Sequence, residues 1–267
     1  MVIIDNDASM SAQATADAFS GALEIRYAVE AEPGLAAVRN RSITMARGEF
    51  LAFADDDEVV PETWLCTLHR VLVGSEASAA IGPVEAEFES GVDDSIRGCL
   101  FFERSDVPEG TPLQWFQAHI GNSCLRASAL PDRTAPFRAQ FGKTGGEDID
   151  LFKRIAEAGG TFVAAREGAC VKEFRDRARA NFWWALRRGV RNGGNLADLE
   201  WVGVGRRERL RLALSSLRTA ARKSIDAIKA RGGDEMRFVK LCIEAAEEVG
   251  RALSVLGYRY PEYGCGR

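Results

Sequence analysis

The feature that most restricts this chain's fold is a junction: the uninterrupted apolar run from Phe50 to Ala54 ends against three carboxylates, Asp55, Asp56 and Asp57. A run with no polar alternation reads as a parallel strand covered on both faces. Three adjacent like charges at the end of such a strand repel one another. A positive partner is therefore expected there.

The flanking sequence repeats the same grammar of short apolar runs and helical patterns. "VII" at residues 2–4 leads into "DNDAS", a turn with a helix N-cap at Ser9 or Ser11, a helix through "AQATADAF" and a strand near "EIRYAV". In "PGLAAVRNRSITMARGEF", Leu35, Val38 and Ile43 approximate helical spacing, and Gly48 stands where a C-cap glycine belongs. Pro61 fits the first turn of a helix whose inner face is Trp64, Leu65, Leu68, Val71 and Leu72, and "AAIGPVEAEF" reads as a further strand. Alternating strands and helices predict a three-layer α/β sheet, which binds ligands at the carboxyl ends of its strands. Beyond about residue 175 the pattern becomes long helices, punctuated by Gly193–Gly194 and Gly232–Gly233.

Two acidic clusters carry the candidate chemistry. Side chains at i and i+2 of an extended segment point the same way, so Asp55 and Asp57 can converge on one object; their hard oxygens suit Mg²⁺ or Mn²⁺ shared with a substrate diphosphate. A solvated acidic loop ahead of Pro61 is the plainer alternative. The second cluster, Glu147–Asp148, follows Gly145–Gly146 and opens the amphipathic stretch "IDLFKRI". Glycines let backbone approach a ligand, and acids at a helix start are favoured by the dipole.

In this order, "VIIDND", "GLAAVRNRSITMARGEF", "FADDDEVVPETWL" and "GGEDIDLFKRI" resemble the inverting family 2 glycosyltransferases of the GT-A fold, a Rossmann-like α/β/α architecture. The ending "LGYRYPEYG" resembles the succinoglycan type of bacterial exopolysaccharide enzyme. The resemblance implies a GT-A catalytic domain over residues 1–175, lacking the family's first strand–helix unit, and a basic, mainly helical extension over 176–267. It implies Asp5 on the uracil ring, Asp55 on the ribose or nucleotide, and Asp57, with Asp55, on the metal; Asp56, Arg39 and Asn40 join the nucleotide side. Asp148, beside Glu147, would be the base that deprotonates the acceptor hydroxyl. Gly121 and Asn122 would approach the donor sugar, Trp183 or Trp184 would stack on a sugar, and Arg187, Arg188 or Arg191 would meet phosphate. Asn122 reads equally as a turn residue, and the tryptophans equally as core. The implied reaction moves a sugar from a nucleotide-diphospho-sugar, UDP-linked, to a saccharide acceptor that is lipid-linked in exopolysaccharide synthesis.

Charge adds a second theme. Residues 175–231 hold 15 Lys/Arg against 5 Asp/Glu in a chain of net charge −4. Such a segment suits the anionic inner face of the plasma membrane, and its apolar residues among arginines fit an amphipathic helix lying there or one packed on the catalytic domain. No run is long enough to span a membrane, and a cytoplasmic protein, peripheral at most, is expected. Cys66, Cys99, Cys124, Cys170, Cys242 and Cys265 form no CxxC pair, which predicts free thiols rather than zinc ligands. Three rivals compete with this reading. A nucleotidyltransferase needs a glycine-rich phosphate loop that is absent here, a nucleic-acid binder would use the Arg-rich part without any recognisable fingerprint, and a non-catalytic truncated relative would only bind. No nucleic-acid partner is expected.

Overall fold

The computed structural model describes residues 1–104, 107–142 and 144–258. In chain order the elements are β1 (Val2–Asp5), α1 (Gln13–Phe19), β2 (Arg26–Val29), α2 (Leu35–Met45), β3 (Phe50–Phe53), β4 (Glu58–Val59), α3 (Trp64–Ser75), β5 (Ala79–Ile81), β6 (Val84–Phe88), α4 (Asp94–Gly98), β7 (Pro112–Leu113), β8 (Ser123–Arg126), α5 (Glu147–Glu157), β9 (Phe162–Ala164), β10 (Val171–Arg175), α6 (Phe182–Glu200), α7 (Arg206–Ala230) and α8 (Glu235–Ser254). Short 3₁₀ turns lie at Trp115–Gln117, Ala127–Ala129 and Ala139–Phe141.

The central sheet has the order β3-β8-β5-β9-β7, with β5 and β9 parallel and β8 antiparallel to both of its neighbours. Its side chains alternate between two cores, as the period of a strand requires. Ala79 and Ile81, Leu125, and Phe162 and Ala164 face Ile43 of α2 and Leu151, Phe152 and Ile155 of α5. Ala80, Cys124 and Val163 face Leu68, Val71 and Leu72 of α3. Helices thus cover both faces, and the α/β/α layering holds. A second sheet, β4-β10-β6, adjoins it, and β1 pairs β2 in parallel.

Several local expectations are corrected. The Phe50–Ala54 run is not a parallel strand buried on both sides: β3 is antiparallel to β8 at one end of the sheet order, with Leu51 buried and Ala52 and Ala54 exposed. "AAIGPVEAEF" breaks at Gly82–Pro83 into β5 and β6, which join different sheets; a Cβ on Gly82 would lie 2.4 Å from the Asn122 amide nitrogen. Neither Ser9 nor Ser11 caps α1, because the Ser9 hydroxyl and amide are both taken by Asp7. Helix α2 ends at Met45, ahead of Gly48, where Arg26 donates to the Met45 carbonyl. Leu65 is exposed, so the inner face of α3 consists of Trp64, Leu68, Val71 and Leu72 without it.

The helical expectation for the C-terminal part holds, with one change. Gly193–Gly194 do not end a helix; they lie inside α6, where Gly193 meets the Glu247 carbonyl of α8 and Gly250 of α8 meets the Val190 carbonyl of α6. These glycines let two backbones touch. Gly232–Gly233 do separate α7 from α8. Val92, Ile96, Cys99, Phe102, Ala185, Val239 and Ile243 form one buried cluster, so the C-terminal helices share a core with the segment around α4. The described cysteines are free thiols, and no described helix is long and apolar enough to cross a membrane. Cys265 and most of "LGYRYPEYG" lie outside the described residues.

Candidate active site

The site is assembled by holding α2 against the segment that leads into α5. Gly34, the N-cap of α2 at φ +118°, approaches Gly142 so closely that a Cβ would fall 2.6 Å from its carbonyl oxygen. Six residues later, the Asn40 amide donates to the Phe137 carbonyl (2.8 Å) and accepts from the Phe137 N–H (2.9 Å). Both ends of the Asn40 amide are thus engaged by backbone. Arg39 is thereby set between the two acidic clusters. Its guanidinium forms an ion pair with Glu147 at the start of α5 and lies 3.4 Å from Asp55 at the end of β3.

The two arginine partners differ in environment. Glu147 is 2% exposed, and its Oε2 is buried with no hydrogen-bond partner among the described residues. Burial, followed by the charge of Asp148, pushes the Glu147 carboxyl up to about 7, against the pull of Arg39 and Arg191. Burial works against the charge on Arg39 as well, but Glu147, Asp55 and Asp148 outweigh it and hold the guanidinium protonated. Asp148 is only partly buried and accepts from the Ile149 N–H (2.8 Å), leaving it the accessible carboxylate of the pair.

The loop before this pair is held from the far end of the chain. Gly145 and Gly146 both adopt positive φ, and Asn195, buried on α6, donates to the carbonyls of Thr144 (3.2 Å) and Gly145 (3.0 Å). Sequence reading missed Asn195. Nothing in the sequence singles it out, since its neighbours at helical spacing, Arg191, Asn192 and Asp198, are polar as well.

Around the triple aspartate the structure gathers more acid than the sequence suggested. The Asp55 N–H donates to Glu58 (2.9 Å), and Glu58 is in register with Glu173 across the β4–β10 pair. Burial pushes Glu58 up to about 8, opposed by the Asp55 amide and aided by the charges of Asp55, Glu173 and Asp57. Asp57 and Glu173 are also raised, first by burial, with Arg175 pulling each back. Arg175 forms an ion pair with Glu173. Gly121 sits against this group, since a Cβ there would lie 2.7 Å from an Asp55 carboxylate oxygen.

The donor set fits a hard divalent cation of the kind that takes one or two carboxylates and completes its shell with water and phosphate oxygens. Asp55, with a side chain 42% exposed, and the half-buried Asp57 are the available ligands. Among the described residues no three His, Cys, Asp or Glu side chains form a ready-made cage, so the protein alone would hold such an ion incompletely.

Other expected residues fall elsewhere. The Asp5 carboxylate accepts from the Asp7 and Ala12 amides (2.9 and 2.8 Å) and from the Tyr27 hydroxyl (2.7 Å), and so closes its own loop. The Tyr27 hydroxyl, then the two amides, hold the Asp5 carboxyl below its usual range. Asn122 is fully buried and bonded to Trp64, Pro83 and Ala169. Trp184 stacks on Phe102 in the core, whereas Trp183 is exposed. Of the three candidate arginines, Arg191 is buried and acts on Glu147 through its charge, while Arg187 is exposed. Asp56 is exposed beside its neighbours.

Comparison with known proteins places this geometry in context. Residues 1–130 match the glycosyl transferase family 2 pattern. The chain is 31% identical over 195 residues, 72% of its length, to succinoglycan biosynthesis protein ExoM of Rhizobium meliloti, and spans 62% of that protein. It is 36% identical over 90 residues, 33% of its length, to putative glycosyltransferase EpsH of Bacillus subtilis, and spans 26% of that protein. It thus covers less than two thirds of either relative. The crystal structure of Staphylococcus aureus TarS 1–349 in complex with UDP-GlcNAc superposes with a TM-score of 0.51 at 12% identity, covering 97% of this chain and 80% of that one; this likeness establishes the GT-A type of fold.

Proposed function

We propose, on the premise that residues 1–130 carry a family 2 glycosyltransferase domain, that the chain transfers a sugar from a nucleotide-diphospho-sugar to a saccharide acceptor, with inversion at the anomeric carbon. The observation that carries this reading is Arg39. One guanidinium touches Asp55 of the triple aspartate and Glu147 of the Glu-Asp pair, so a phosphate-side cluster and a base-side cluster share one small volume.

In the proposed reaction the accessible Asp148 carboxylate takes the proton of one acceptor hydroxyl, and that oxygen forms a bond to the anomeric carbon as the bond to the nucleotide diphosphate breaks. The diphosphate leaves with the electron pair, and Asp148 ends the step protonated. Asp55 and Asp57 would hold Mg²⁺ or Mn²⁺, which supplies positive charge beside the departing diphosphate. Glu147 does not reach for the proton; its pairing fixes Arg39 and thereby the spacing between the clusters. The TarS structure contains UDP-GlcNAc, which supports a UDP-sugar as the donor class, and the name of the first relative supports a role in exopolysaccharide synthesis, where the acceptor is lipid-linked.

Titrating the chain with UDP-sugars in a calorimeter, with and without Mn²⁺, tests this reading. Donor binding should require the metal and be lost in Asp57→Ala. Metal-independent binding, or unchanged binding by that variant, would overturn the metal assignment.

A further inference from the structure

We propose that the outward face of α7 is a docking surface for an anionic lipid membrane. The inference stands apart from the glycosyl-transfer reading, since it uses none of the site residues.

Helix α7 presents two faces of opposite character. The inner face is small: Ala213, Ser216, Ala220 and Ala227 are buried, and Ala213 packs with Leu212, Trp201 and Ala252 of α8. The outer face carries Leu210, Leu214, Leu217, Ile225 and Ile228, each 46–71% exposed, with Ala221 among them. Their spacing of three and four residues aligns them as one stripe along the helix. The alternative left open by the sequence, that these residues pack on the catalytic domain, is answered by this exposure. The alanines and Leu212 do the packing, and the larger side chains of the stripe are left in water.

The border of the stripe selects its occupant. Arg207, Arg211, Arg218, Arg222 and Lys229 are exposed and, at 100° per residue, lie along one side of it. Over the whole helix eight Lys/Arg stand against two acids, Glu208 and Asp226, which lie beyond the basic row and pair with Arg211 and Lys229. A second copy of the chain seated on the stripe would bring a second basic row with it, while the two acids of each helix are already paired within it. An anionic bilayer meets both requirements: the leucines and isoleucines enter the acyl boundary, while the long basic side chains extend to the phosphates. Neither contribution suffices alone, because weak apolar insertion and a basic row act together to give stable attachment.

The test uses the full chain and flotation with vesicles of either about 30% phosphatidylglycerol in phosphatidylcholine or phosphatidylcholine alone. At 0.1 M NaCl we expect recovery with the anionic vesicles to exceed that with neutral ones by about tenfold or more, and to fall sharply at 0.5 M as screening shortens. Arg218→Glu with Arg222→Glu should weaken anionic binding by at least about 25-fold, some fivefold per charge. Leu214→Ser with Ile228→Ser should weaken it while leaving every charge in place; circular dichroism confirms that each variant keeps its helices. Equal binding to both vesicles, no binding by the folded wild type, or indifference to both variants would overturn the proposal. So would a dimer in sedimentation equilibrium that the Leu214/Ile228 variant dissolves, or duplex DNA binding that survives that variant while vesicle binding is absent.

Discussion

Arg39 and Glu147, 108 positions apart in sequence, form a buried ion pair at the junction of the two acidic clusters. The pair does more than join two helices: without the guanidinium, an almost fully buried carboxylate would face the charge of Asp148 with only Arg191 to oppose it. Breaking such a pair by removing one partner costs about 3–5 kcal/mol, mostly from the uncompensated charge. Arg39→Met should therefore destabilise the fold by about that amount in urea unfolding at pH 8. Adding Glu147→Gln should recover part of the loss. If the single variant unfolds at the wild-type urea midpoint, the pair is not structural.

Asp148→Asn keeps size and shape but cannot take a proton. Transfer should fall by roughly 10²–10⁴ while donor affinity stays near that of the wild type, read by product formation and calorimetry respectively. A variant that retains most of its transfer would remove Asp148 from the role of base.

The backbone contact between α6 and α8 makes its own prediction. A Cβ on Gly193 would fall 1.8 Å from the Glu247 carbonyl oxygen, and one on Gly250 would fall 1.9 Å from that of Val190. Gly193→Ala must force the helices apart at a cost of about 1–3 kcal/mol or more. The same change moves Asn195, two residues on, away from the Thr144–Gly145 loop, so transfer should drop along with stability. Gly74→Ala in α3, with nothing within 4 Å of the new atom, is the control and should be neutral or stabilising by up to about 1 kcal/mol. Comparable losses in both variants would show that the glycines matter for reasons other than contact.

Glu247 supplies a pH signature. Burial raises its carboxyl to about 7, with Lys223 pulling against it and Glu244 adding to it. Because the folded state binds this proton more tightly than the unfolded chain, the resulting stability is fully present below about 4.5, the ordinary Glu value, and is lost as pH rises through about 7. Glu58 and Glu147, also raised, add slopes of the same sign. Glu247→Gln should flatten part of the decline in Tm between pH 5 and pH 8. A parallel pair of curves would refute the assignment.

The charged runs were legible in the sequence because adjacent carboxylates are conspicuous wherever they fall. Asp55, Asp57 and Asp148 needed no fold to be noticed. The backbone contacts of Asn40, Asn122 and Asn195 are not legible in the sequence, because each amide bonds carbonyls remote in sequence and nothing local marks it for that use. Gly193–Gly194 looked like a helix end, since glycine disfavours helices by propensity; the contact with α8 that reverses this lies more than fifty positions away. The run at Phe50–Ala54 reads as a strand covered on both faces because it lacks polar residues, but Ala52 and Ala54 are small enough to remain exposed at little cost.

The chain passes from its central sheet to the smaller one three times: at the aspartates after β3, at Gly82–Pro83 after β5, and between β9 and β10. Asn122 pins two of these passages at once, donating to the Pro83 and Ala169 carbonyls at 2.8 and 2.7 Å. One buried amide therefore ties together two of the segments that join the sheets. The third passage is the acidic segment itself, anchored where the Phe174 N–H donates to the Asp57 carbonyl. The acidic segment is thus tied at both of its ends to strands of different sheets, which fixes where its carboxylates stand relative to the Glu147–Asp148 pair.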